Sequence, residues 1–72
     1  MDFVEKATVR IEHWIAHNDH HREEYEAFAR QLEAAGRRDA AGHIREMMSL
    51  DRQGTDALKR ALAAVTQPGN RP

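Results

Sequence analysis

The chain contains no cysteine, so neither a disulfide nor a thiolate zinc site can stabilise it. It has only four glycines and two prolines in 72 residues, none of them before Gly36, so the first half of the chain has no punctuation at all. Aromatic residues are sparse: one Trp, one Tyr and two Phe. Charge of one sign is missing too, because eleven Lys and Arg are interspersed with twelve Asp and Glu for a net charge of -1. Without a single-signed field, neither nucleic acid nor an anionic membrane is expected as a partner. No apolar run approaches the roughly 20 residues needed to span a bilayer, and the residues from Asp2 onward lack the apolar core of a signal peptide. A cytoplasmic location is the expectation.

Catalytic signatures are absent as well. No histidine has a glutamate three residues before it, there is no His-Glu-x-x-His, and neither a phosphate-binding glycine loop nor a nucleophile motif occurs. The chain is therefore not expected to be an enzyme, with no catalytic residues and no organic cofactor. Seventy-two residues make one domain at most, and a chain this short buries too little surface to be robust as a monomer. Oligomerisation or a metal must supply what disulfides cannot.

What is present is helical periodicity. Val4, Ala7, Ile11, Trp14, Asn18, His21, Tyr25, Phe28, Leu32 and Ala35 alternate in steps of three and four, an unbroken heptad seam. The seam predicts one helix over about 2–35, opened by Asp2 and Glu5 as a capping box and closed by Gly36. Gly36 to Arg38 is the expected turn, with Asp39 as N-cap of a second helix over about 40–65. That helix carries two stripes. Ala41, Ile44, Met48, Asp51, Thr55, Leu58, Leu62 and Val65 form one, and His43, Met47, Leu50, Gly54, Ala57, Ala61 and Ala64 form the other. A single hairpin would leave the second stripe wet.

The expected fold class is therefore all-α: a long antiparallel hairpin dimerising into a four-helix bundle, with residues 66–72 a disordered tail. Gly54-Thr55-Asp56 offers an alternative, a break and a fresh cap that would make a three-helix bundle. In the hairpin register, His21 faces Thr55 and Tyr25 faces Asp51, so Asn18, His21, Tyr25, Asp51 and Thr55 form an internal polar layer. Tyr25 would reach Asp51 with its hydroxyl, and such a layer can fix register and oligomer state. Glu26 with Arg30 and Glu33 with Arg37 read as surface helix support, and His43 falls near Glu33.

The histidines invite a second reading. His13, His17, His20 and Glu24 line one flank of the first helix and His21 lies on the seam beside His17. Imidazole and carboxylate ligands at three- and four-residue spacing suit Zn, Ni, Co or Cu. One helix presents only two or three of these groups to one ion. The plainer account makes His17 and His21 hydrogen-bonded core or interface residues and leaves His13 and His20 solvated. A pH-responsive cluster is a third account.

The run Trp14-Ile15-x-His17-Asn18-x-x-His21, followed by Tyr25, resembles a W-I-x-H-N-x-x-H motif of short, uncharacterised helical proteins from bacteria and archaea. The resemblance implies a small domain of unknown function in which His17, Asn18 and His21 are the matched polar residues. It implies no catalytic residues, and it does not extend to His13 or the second helix.

Overall fold

The computed structural model describes residues 2–67 as two helices, α1 (Phe3–Ala34) and α2 (Arg38–Val65), folded into an antiparallel hairpin. Among the described residues there is no strand. α1 starts where its sequence provides a reciprocal cap. The Asp2 carboxylate accepts from the Glu5 amide at 2.8 Å, and Glu5 Oε1 accepts from the Asp2 amide at 3.3 Å, satisfying two groups the first turn leaves open.

The end of α1 is set by Gly36. Its φ of 78° is left-handed and suits a residue without Cβ. The turn lets the Arg37 amide donate to Leu32 O at 2.8 Å and the Gly36 amide to Glu33 O at 3.0 Å, the paired bonds of a Schellman closure. This closure is so short that α2 begins at once. Arg37, without a side-chain hydrogen bond, is the N-cap, and Asp39 lies in the first turn rather than capping it as expected. There its carboxylate still faces the positive end of the helix dipole.

α2 runs unbroken through Gly54, Thr55 and Asp56, which removes the three-helix alternative. Thr55 does not cap a new helix; it is 1 % exposed, turned into the hairpin. Beyond Val65, the Thr66 hydroxyl donates to Leu62 O at 3.0 Å, while residues 68–72 of the expected tail lie outside the described residues.

The inward stripe of α2 is the expected one: Ala41, Ile44, Met48, Asp51, Thr55, Leu58, Leu62 and Val65 are all buried or half-buried. α1 differs. Ile11, Asn18, Tyr25 and Leu32 turn toward α2 as expected, but Thr8, Ile15, Arg22 and Ala29 join them. Val4, Trp14 and Phe28 do not, and Trp14 and Phe28 are 47 % and 49 % exposed. The cause is twofold. Ala29 and Ala41 are both fully buried, and two such small residues let the backbones approach where Phe28 would hold them apart. One edge is also clamped, because the Arg45 guanidinium reaches Glu33 at 2.7 Å and Glu26 at 3.2 Å. The register moves by about a turn, with Asn18 rather than His21 against Thr55.

This rotation decides what is left open. Arg45, Glu26 and Glu33 mark one edge of the pair. At about 100° per residue, stepping the other way around each helix gives Trp14, His17, His21 and Phe28 on α1, and His43, Met47, Gly54 and Ala61 on α2. In an antiparallel pair both flanks fall on the same side. The hairpin therefore has an ion-paired edge and an opposite face bearing the two bulky α1 residues and the second α2 stripe, whose Leu50 is 62 % exposed. Among the described residues only Ala29, Ala41 and Thr55 are fully buried, in a molecule of 53 × 24 × 11 Å. That is one layer of helices, whereas stable domains are built from at least two.

Candidate functional site: a ring ladder beside a polar seam

Residues four apart on a helix stack one above another, and α1 places an aromatic ring at four successive positions of this spacing. His13 and His17 lie parallel with centroids 6.0 Å apart, His17 and His21 meet edge to face at 4.3 Å, and His21 and Tyr25 stack at 6.0 Å. The ladder climbs from the outer surface to the seam. His20 stands off it, tilted to His21 at 6.2 Å.

The polar contacts concentrate on His21. Its Nδ1 is 2.8 Å from Glu24 Oε1 and its Nε2 is 2.9 Å from His17 Nε2. An ionised carboxylate only accepts, so the hydrogen of that pair sits on His21 Nδ1. Nε2 of a neutral His21 is then a bare lone pair, to which His17 Nε2–H donates. Glu24 thus holds His21 in one tautomer and one orientation. His17 and His21 are brought together with Glu24, but Glu24 takes the ring nitrogen facing away from His17. Among the described residues no three His, Asp or Glu side chains converge as a metal-holding group. His13 and His20 share the neighbourhood only as rings.

Within the expected polar layer, Asn18 Nδ2 donates to Thr55 Oγ1 at 3.4 Å, a long bond. His21 is not enclosed there: its side chain is 40 % exposed, because the rotation of α1 carries it to the open flank. Tyr25 is half-buried, and its hydroxyl makes no hydrogen bond to Asp51 among the described residues. Asp51 Oδ2 is buried without any partner, the least satisfied polar atom of the seam. His43 is not near Glu33 chemically. It pairs with Glu46 on its own helix at 3.3 Å, both well exposed, because Arg45 takes Glu33.

That Arg45 clamp is the feature no local pattern announces. Glu26 pairs with Arg30 at 3.1 Å as expected, but Glu33 turns to Arg45, not Arg37. Side-chain hydrogen bonds from Arg45, then its charge, hold the carboxyl groups of Glu26 and Glu33 below their usual range against some desolvation. The two carboxylates, through the same bonds and their charge, raise Arg45 above its ordinary value. On the open side, near the start of α1, a shallow groove of about 410 Å³ is lined by Phe3, Lys6, Ala7, Arg10, Ile11 and Trp14.

Fold and site together define a small two-helix domain with one clamped edge and one histidine-bearing open face, and with no helix among its described residues long and apolar enough to cross a membrane. The chain belongs to the family described as Domain of unknown function (DUF8180), whose family model matches residues 7–65. That match takes in α2, all but the first four residues of α1, and every residue of the ring ladder. No curated protein matches the chain. No solved structure matches it either.

Proposed function

We propose that the protein is a structural or protein-interaction module whose open face is covered by a second copy of itself, giving a homodimeric four-helix bundle. The observation that carries this reading is the collection of Trp14, Phe28, Met47 and Leu50, all exposed, on one side of a single-layer hairpin. The α2 stripe on that side, from His43 through Ala64, contains no Asp, Glu, Lys or Arg, on a helix otherwise rich in charge. Depletion of charge is the mark of an interface core.

A second copy fits better than an unrelated protein because the face is complementary to itself. With Asn18 beside Thr55, Trp14 stands level with Ala57 and Ala61. A copy turned about the long axis lays α1 on α2 and sets Trp14 over those small residues. Neighbouring helices then alternate in direction, as in an up-and-down bundle. Asn18, Thr55 and Asp51 remain inside each hairpin, where they fix its register. The reading includes a cytoplasmic location, no nucleic-acid or membrane partner, and the W-I-x-H-N-x-x-H run as a signature of the bacterial and archaeal family.

Gly54 and Gly42 test it. A Cβ at either would meet nothing within 4 Å, so the hairpin itself has room for a side chain at both, but only Gly54 lies on the open face. Sedimentation equilibrium should show Gly42→Leu at twice the chain mass and Gly54→Leu shifted toward one chain mass. A Gly54→Leu protein that associates as tightly as Gly42→Leu would refute the proposed face.

A second reading, a transition-metal-binding or metal-sensing protein, is favoured by one specific observation, the approach of His17 Nε2 to His21 Nε2 at 2.9 Å.

A further inference from the structure

We infer that His17 and His21 form a two-imidazole chelate for a borderline transition-metal ion, with Glu24 as the carboxylate that orients His21 and not as a ligand. The inference deepens the metal-binding reading and rests on it. Its basis is a distance. Ligand nitrogens lie about 2.0 to 2.1 Å from Zn and similar ions, so two of them subtending a right to tetrahedral angle are separated by about 2.9 to 3.4 Å. His17 and His21 already stand at the lower end of that range, 2.9 Å between Nε2 atoms, on adjacent turns of a continuous helix.

The outer contact is also in place. A ligating histidine commonly donates its other ring N–H to a carboxylate, which fixes the ring and raises its basicity. Glu24 Oε1 at 2.8 Å from His21 Nδ1 is that arrangement. In the metal-free chain one proton occupies the space between the two Nε2 atoms. When an ion enters, His17 moves that proton to its own Nδ1 through solvent, and both Nε2 lone pairs face the ion. No proton is lost when the pair is neutral.

Two neutral nitrogens without a directly bound carboxylate select against hard ions such as Mg and Ca and suit Zn, Ni, Co or Cu. Within a single hairpin no third ligand-bearing side chain converges on the pair among the described residues and both rings reach solvent, so the remaining coordination positions fall to water wherever the open face is uncovered. The stoichiometry is one ion per chain. Bridging one turn also ties that turn together, so loading adds stability to α1.

The test is calorimetric titration of chelator-stripped full chain with Zn(II), Ni(II), Co(II) and Cu(II) in turn, with circular dichroism confirming helicity in each variant. The wild type should take up one ion per chain. A His17→Ala, His21→Ala double variant should bind none, and a His13→Ala, His20→Ala double variant should bind like the wild type. Glu24→Gln should keep one ion per chain with affinity about 10- to 100-fold weaker, the usual effect of losing an outer carboxylate. Nitrogen NMR of the zinc-loaded chain should show both Nε2 atoms metal-bound and both Nδ1 atoms protonated. Absence of uptake by the wild type would end the metal-binding reading along with the chelate. Uptake that follows His13 and His20, or that Glu24→Gln abolishes outright, would overturn the chelate while leaving the metal-binding reading standing.

Discussion

Replacing Asp51 by leucine should make this protein more stable, against the usual direction of a seam substitution. Asp51 faces α1 from the inward stripe of α2, between Met48 and Thr55, and its Oδ2 is buried with no hydrogen-bond partner. A buried polar group left unsatisfied costs about 1 to 3 kcal/mol. Leucine removes that term, adds apolar contact, and favours helix by a few tenths of a kcal/mol over aspartate. The lost volume match offsets part of the gain, leaving about 1 to 3 kcal/mol of net stabilisation. For a chain of this length, that is roughly 4 to 8 °C in Tm per kcal/mol. Asp51→Asn is the control, since it removes the charge but keeps a polar group in the same place, and its gain should be smaller. The assay is thermal and urea unfolding by far-UV circular dichroism at fixed chain concentration, because association contributes to apparent stability. An Asp51→Leu protein that is fully helical yet melts below the wild type would show instead that the carboxylate is satisfied in solution.

The Arg45 clamp gives a pH signature. Glu26 and Glu33 are held below the ordinary glutamate range by Arg45, so their contribution is complete above the unfolded-state value and is lost as pH falls through their lowered folded values. Wild-type stability should fall across that acid window, and Arg45→Gln should show a shallower fall; identical slopes would contradict the clamp. Gly36→Ala should destabilise by about 1 to 2 kcal/mol, because a side chain is strained at its φ of 78°. Gly42→Ala, in an open mid-helix position, should stabilise by about 0.5 to 1 kcal/mol. Equal effects at the two glycines, read by urea unfolding, would contradict the turn geometry.

The helices, the cap at Asp2, the turn at Gly36 and the inward stripe of α2 were legible in the sequence because each depends on neighbours within about four residues. The side of α1 that faces α2 was not. Ile11, Asn18, Tyr25 and Leu32 belong to two overlapping stripes, one completed by Trp14 and Phe28 and the other by Ile15 and Ala29, and spacing cannot choose between them. The choice is made by the small Ala29 and Ala41, both fully buried in the hairpin, and by Arg45 reaching back to Glu26 and Glu33, pairings between residues far apart in the chain. The same rotation explains the site. The closeness of His17, His21 and Glu24 follows from helical spacing alone, whereas the exposure of His21 and the missing bond between Tyr25 and Asp51 depend on the register. The rejected stripe keeps a meaning, since Trp14 and Phe28 share the open face with the second stripe of α2.

The covering of that open face is tested most directly by the molar mass of the untagged, metal-free chain, measured by light scattering across a range of concentrations with helicity followed on the same samples. A dimer covering that face has twice the chain mass wherever the protein is fully helical, with loss of helix accompanying dissociation. A fully helical species of one chain mass, persisting as concentration rises, would contradict it.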